Sequence, residues 1–316
     1  MDQHLEEIEM YLMTGERASS FIPATHAQFD ALEDFFSDYL SNFKTESDFN
    51  PMKTFVEQYF VQRYRKRLFH SRWSVRMNTL YFIDLFKIEM MQDDLLRLLK
   101  SKKCSSEERY QIYLILADFE YPYLLDLIKV SKGLPPFLLK EMMSRLIIPS
   151  NFESYVQNFS DFPYEWRLSI LDVFGDKNLR SLKLQELLEA LLDFNDREIR
   201  VRAAKTIASL EYISSPDVII RILDKNFQKQ DRQNPQSISE KMMLARVMGS
   251  IREEQFLPYL KLLIRDKGYI VRSEAARSIR KYKNGREILL VITAEDQDNY
   301  ARSIAKEWLE RSMDYE

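Results

Sequence analysis

The sequence predicts an all-α protein, a superhelical solenoid of about eight helix pairs with an acidic helical cap at the N-terminus, and three observations carry that prediction. Of the 316 residues 45% are hydrophobic and 30% charged, with 6 glycines against 13 methionines. That balance suits long helices and leaves little material for hairpins or phosphate-cradling loops. In DREIRVRAAKTIASL (Asp196 to Leu210), Ile199, Ala203 and Ile207 recur every fourth residue behind Asp196, which describes one helix with one buried stripe and an N-cap. The same pattern returns at Ser71 to Ile83, Gly268 to Ile279 and Asn299 to Leu309, so the chain is built from repeats.

Residues 1–49 are expected to form the cap and residues 50–316 the repeat array. Residues 1 to 50 carry eleven acids against Arg17 and Lys44, a formal charge of -9. Leu5 to Leu12 can form a short helix, and Phe29 to Phe43 holds aromatic and leucine residues at helical spacing, suited to docking on the array. Thr14 to Thr25 reads as a connecting loop, with Gly15, Ser19, Ser20 and Pro23. Asn50 and Pro51 predict a helix start, with the helix running to about Leu68 and burying Phe55, Tyr59, Phe60 and Tyr64. Arg63, Arg65, Lys66, Arg67, Arg72 and Arg76 then fall close together, the densest basic stretch in the chain.

From there each repeat is anchored by a basic residue followed by apolar residues three and seven positions on. The anchors are Arg76, Arg109, Lys140, Arg167, Arg200, Lys241, Arg272 and Arg302. A hydrophobic residue is expected just before each anchor, and Glu108 and Glu240 break that rule; Thr79 breaks the rule three positions on. Between anchors lies a second apolar helix, such as EMMQDDLLRLLK or LQELLEALLDF. Neither helix buries its face alone, so stacked pairs share a core. The longest interval, Arg200 to Lys241, contains the polar segment Gln228 to Ser237, expected to project as a loop.

The stretches DREIRVRAAKTIASL, RDKGYIVRSEAARSIRKY and AEDQDNYARSIAKEWL resemble the HEAT-repeat family in its short bacterial form, with units of about 30 residues. The resemblance implies an armadillo-like solenoid with a ladder between an acid in each turn and an arginine early in the following helix. The matching residues are Asp196 with Arg200, Asp266 with Arg272, and Asp296 or Asp298 with Arg302.

No catalytic template is visible. His4, His26 and His70 have no metal-ligand spacing around them, so no metal and no cofactor are expected. Cys104 is the only cysteine, which fits a reducing compartment, and its neighbours Lys102 and Lys103 are expected to lower its pKa. AEDQDNY reads as a turn with an N-cap rather than a calcium loop. The chain is therefore expected not to be an enzyme but a scaffold or adaptor, binding a protein or peptide on a concave face lined by the anchor helices. Arg63, Arg65, Lys66, Arg67 and Arg72 are the expected electrostatic contact site, toward a protein or an anionic membrane surface. Docking of the acidic N-terminal segment on this cluster is an equal reading. The net charge of -3 argues against a general nucleic-acid binder. The alternative is a nucleic-acid-binding repeat protein or an alkylpurine DNA glycosylase-like enzyme, with Trp73, Trp166, Trp308 and Asp172 in candidate roles. No apolar run is long enough to span a bilayer, and the expected location is the cytoplasm, with membrane association should an anchor precede Met1.

Overall fold

The structure is a computed structural model and describes residues 7–12, 22–42, 46–130, 134–228 and 237–311. Among these residues every regular element is a helix. The chain divides into two compact units, Met1–Leu146 and Ile147–Glu316.

The first unit opens with α1 (residues 7–12), α2 (His26–Asn42), α3 (Glu46–Tyr59) and α4 (Val61–Leu68). The helix expected to start at Asn50 begins at Glu46, so that Pro51 lies inside it, and it breaks at Phe60 before resuming as α4. Phe60, Tyr64, Phe36 and Phe86 are fully buried. Phe36 meets Phe55 and Phe86 edge to face, with ring centroids 5.7 and 6.1 Å apart, and rings in this arrangement attract beyond their area burial. The aromatic spacing read from the sequence thus packs α2 onto α3 and the start of the repeats. The unit continues with α5 (Trp73–Leu85), α6 (Gln92–Leu99), α7 (Ser106–Asp118), α8 (Leu124–Val130) and α9 (Pro136–Leu146).

The second unit holds α10 (Phe152–Gln157), α11 (Tyr164–Asp176), α12 (Leu182–Leu191), α13 (Arg197–Leu210), α14 (Pro216–Gln228), α15 (Ile238–Ile251), α16 (Leu257–Leu263), α17 (Tyr269–Arg280), α18 (Gly285–Glu295) and α19 (Asn299–Glu310). Helices α11, α13, α15, α17 and α19 pack each on the next, and α12, α16 and α18 lie against them. In the first unit α5, α7 and α9 pack the same way, with α6 and α8 against α7. The polar segment expected to project as a loop lies almost entirely outside the described residues, as does His4.

All eight sequence anchors lie in the first turns of these helices. Arg76, Arg109, Arg167, Arg200, Lys241, Arg272 and Arg302 are each the fourth residue of α5, α7, α11, α13, α15, α17 and α19, and Lys140 is the fifth of α9. The stripe of Ile199, Ala203 and Ile207 is fully buried; a buried isoleucine contributes on the order of 2 kcal/mol relative to an exposed one. Ser105, Asp196, Ser237 and Asp298 cap α7, α13, α15 and α19 through their side chains, which supplies an acceptor for an otherwise unpaired amide. The other ends also repeat. Lys87, Glu120, Asn178, Glu211 and Arg252, each just past the end of an anchor helix, take positive φ, the left-handed conformation that turns a chain out of a helix.

Small residues bring the anchor helices of the second unit close together. Ala203, Ala204, Ala245, Ala275, Ala276, Ala301 and Ala305 are buried. A Cβ placed on Gly249 would lie 2.5 Å from Ser278 Cβ and 2.8 Å from Ser278 Cα, so α15 and α17 can approach this closely only with glycine at that position.

Candidate interaction surface

The acid-to-arginine ladder that the resemblance implies is not formed by the matching residues. The arginines reach backbone carbonyls of the preceding turn, five and six residues back. Arg76 Nη1 donates to His70 and Ser71 carbonyls at 2.9 and 3.1 Å, Arg200 Nη1 to Phe194 and Asn195 at 2.6 and 2.9 Å, and Arg272 Nη1 to Asp266 and Lys267 at 2.9 and 3.0 Å. Arg302 Nη1 donates to the Asp296 carbonyl at 2.9 Å. The acids expected to face these arginines do other work. Asp196 and Asp298 cap their helices, while Asp266 accepts Lys241 Nζ at 2.6 Å and Asp296 accepts Arg265 Nη2 at 2.8 Å. Asp298 N also donates to Asp296 Oδ1 at 2.9 Å, which makes AEDQDNY a capped turn.

Neighbouring anchor helices are also joined by paired charges. In the first unit Asp84 accepts Arg145 Nη1 at 3.0 Å, Lys87 Nζ at 3.0 Å and Gln111 Nε2 at 2.7 Å, and Asp118 accepts Arg145 Nη1 at 2.8 Å and also meets Lys87. Burial by itself would raise the Asp84 carboxyl, but its bonds to Arg145 and Lys87 outweigh that and hold it below the ordinary aspartate range. In the second unit buried Asp172 meets Arg202 and accepts Lys205 Nζ at 2.9 Å, and Arg246 binds Glu274 with two bonds of 3.1 Å.

The basic cluster separates into inward and outward members. Arg67 Nη1 donates to both oxygens of buried Glu33 on α2, at 2.9 and 3.1 Å. Arg63 pairs with Asp30, touches His26 Nδ1 at 2.6 Å and lies over the Phe29 ring at 5.0 Å. Burial raises the Glu33 carboxyl against the opposing pull of Arg67 and Arg63. Arg65 Nε donates to Asp94 at 2.9 Å. Lys66 and Arg72 are exposed and form no ion pair among the described residues. Which arginines turn inward depends on α2 and α6, and nothing in the local sequence records that.

The remaining candidates are placed as follows. His26 and His70 are exposed, and His70 Nδ1 accepts the Arg72 amide at 3.1 Å. Cys104 is half-buried, and burial pushes its thiol up despite the opposing charge of Arg109, so the expected lowering by lysines is corrected. Trp166 and Trp308 are buried and Trp73 is exposed, so the three tryptophans do not share one surface. No group of His, Cys, Asp and Glu able to hold a metal occurs among the described residues. No helix among them is long and apolar enough to cross a membrane.

What the sequence reading missed is an apolar row in the second unit. Ile238, Tyr269, Ile270 and Tyr300, at the starts of α15, α17 and α19, are each more than half exposed. Neighbouring helix starts touch along it, since Ile238 Cγ1 is 3.6 Å from a Cβ built on Gly268 and Arg272 lies 4.9 Å over the Tyr300 ring. A signal was present at the helix starts, where a large apolar residue takes one or both of the first two positions that a solvated start would give to acids.

No family model matches the chain, and no curated protein matches it. Among solved structures it is similar to the complex of CpcE and CpcF of phycocyanin lyase from Nostoc sp. PCC7120, with 16% identity, 67% of this chain and 74% of that chain covered, and a TM-score of 0.35. It is also similar to an engineered protein, with 16% identity, 71% and 97% covered, and a TM-score of 0.34. The expectation that the chain is not an enzyme is corrected here. It rested on missing catalytic templates, and a similar structure belongs to a protein named as a lyase.

Proposed function

We propose that the chain is a repeat protein of the short HEAT type that binds a protein or peptide partner on the surface built by its anchor helices. The observation that carries this reading is the row Ile238, Tyr269, Ile270 and Tyr300, large apolar side chains left in water on helices whose own packing is tight. Bonds from Arg272 and Arg302 to carbonyls of their preceding turns hold the starts of α17 and α19 in place, and the Ser237–Glu240 capping box holds that of α15, so little ordering entropy remains to be lost on binding. The electrostatic contact expected at Arg63, Arg65, Lys66, Arg67 and Arg72 narrows to Lys66 and Arg72, because the other three have acids of their own. The cap over residues 1–49 and the array over 50–316 remain the proposed division of labour, with Arg63 and Arg67 as the cap's seat.

The test is crosslinking of the tagged chain in its own cells, with recovered proteins identified by mass spectrometry from soluble and membrane fractions. A protein at fixed stoichiometry, lost on Ile238→Asp with Tyr300→Asp, supports the reading. Recovery of nucleic acid and no stoichiometric protein overturns it, and recovery only with anionic membranes replaces it by a surface adaptor.

A further inference from the structure

The outward cations Lys66 and Arg72 do not stand alone. The turn between α4 and α5 lies beside the turn between α6 and α7, held there by Trp73 Nε1 donating to Ser105 Oγ at 3.1 Å, Arg76 Nη2 donating to the Lys103 carbonyl at 3.3 Å and Arg97 lying 5.0 Å over the Phe69 ring. The second turn brings Lys100, Lys102 and Lys103, all exposed. None of these five cations forms an ion pair among the described residues. Of the nearby acids Asp94 is used by Arg65 and Arg97 and Glu108 by Arg76, while Glu107 is exposed. Between the cations stand Phe69 and Trp73, 39% and 48% exposed.

We infer that this edge of the first unit is a docking site for an acidic peptide segment bearing an apolar side chain, its carboxylates set against Arg72, Lys100, Lys102 and Lys103 and its apolar group beside Trp73. The inference rests on the reading of the chain as a protein-binding repeat scaffold. Three features select this occupant. Four unpaired cations on two adjoining turns, with Lys66 in the last turn of α4, complement carboxylates. Stacked bases need a free aromatic face, and here the Phe69 ring carries Arg97 while the Trp73 ring is less than half exposed. A lipid surface needs protruding apolar side chains, and here Phe69 and Trp73 are each less than half exposed, Trp73 Nε1 is bonded to Ser105, and exposed Glu107 beside the second turn adds a negative charge next to the cations. A flexible peptide can place its charges around Glu107; a bilayer cannot.

The probe is a fluorescein-labelled peptide rich in Glu and Asp with one Phe, titrated with the full chain and read by anisotropy at two salt concentrations. Two charge-reversed variants are compared with the wild type. One carries Arg72→Glu, Lys100→Glu, Lys102→Glu and Lys103→Glu. The other carries Lys261→Glu, Lys281→Glu, Lys283→Glu and Arg286→Glu, exposed positions of the second unit. The expected result is a loss of at least about tenfold in affinity for the first variant and none for the second, with wild-type affinity falling as salt rises. Equal loss in both variants, no binding at low salt, or displacement of the peptide by phosphatidylserine vesicles or a thymidine oligonucleotide overturns the inference. The crosslinking experiment separates the two levels. A stoichiometric partner retained by the first variant keeps the scaffold and removes this site, whereas no stoichiometric protein with the wild type removes the scaffold itself.

Discussion

Arg76 on α5 reaches Glu108 on α7 with Nε at 2.6 Å and Nη2 at 3.1 Å, and Glu108 at the same time accepts the Ser105 amide at 2.8 Å. One buried carboxylate therefore closes the start of its own helix and fastens the helix before it. Arg200 and Glu240 repeat the arrangement on α13 and α15, with Nε at 2.7 Å and the Ser237 amide at 2.9 Å. Glu108 is fully buried, and Glu240 nearly so.

Replacing Glu108 by Ala should destabilise the protein by about 3 kcal/mol, because it strands the buried Arg76 guanidinium and removes half of a capping box. Glu240→Ala should cost less, since Arg200 keeps more contact with water than Arg76. Urea unfolding of the two variants checks the order; equal costs would mean that burial of the arginine is not what sets the penalty.

Gly249→Ala should destabilise by about 1–3 kcal/mol through overpacking against Ser278. The double variant with Ser278→Gly should recover part of this, giving a coupling energy in a double-mutant cycle. Additive effects would show that α15 and α17 do not meet there.

Asp84 gives a pH dependence with a definite sign. Its folded carboxyl lies below the ordinary aspartate range, so its contribution is fully present above the unfolded pKa of about 4 and is lost as pH falls through the lower folded value. Wild type should therefore lose stability faster than Asp84→Asn as pH falls below about 4, with the variant weaker at neutral pH. Parallel melting curves across that range would contradict the pairing with Arg145 and Lys87.

Glu120 follows α7 with φ of 50°, and Tyr121 N donates to the Leu116 carbonyl at 3.0 Å. Glu120→Gly should stabilise the protein by about 1 kcal/mol, since glycine adopts this conformation without the Cβ penalty. A lowered melting temperature would mean that the exposed Glu120 side chain makes a contribution larger than the strain.

The anchor helices were legible because their signal is local. A basic residue in the first turns and apolar residues three and seven positions on place α5 to α19 within a residue or so. Glu108 and Glu240, which broke the expected apolar position, were the places where a buried ion pair replaced a hydrophobic contact. Their partners could not be read, since Arg76 and Arg200 lie a full repeat away and the geometry of stacking chooses among several acids. Asp266 shows the same limit: its turn and its charge were visible, but its carboxylate faces Lys241 of the previous repeat while its carbonyl faces Arg272. In the basic cluster the charge was plain and the direction of each side chain was not, because Glu33 and Asp94 come from other helices.

The arginine-to-carbonyl bonds span a fixed five and six residues, whereas the distance from one anchor to the next varies from 27 to 41 residues. The starts of α5, α13, α17 and α19 are thus each sealed by their own stretch of chain, whatever the length of the connection before it. Insertions, deletions and grafted segments placed upstream of that short stretch leave the seal intact, so the connections can change length while contacts between neighbouring helices, such as Arg76 with Glu108, stay as they are.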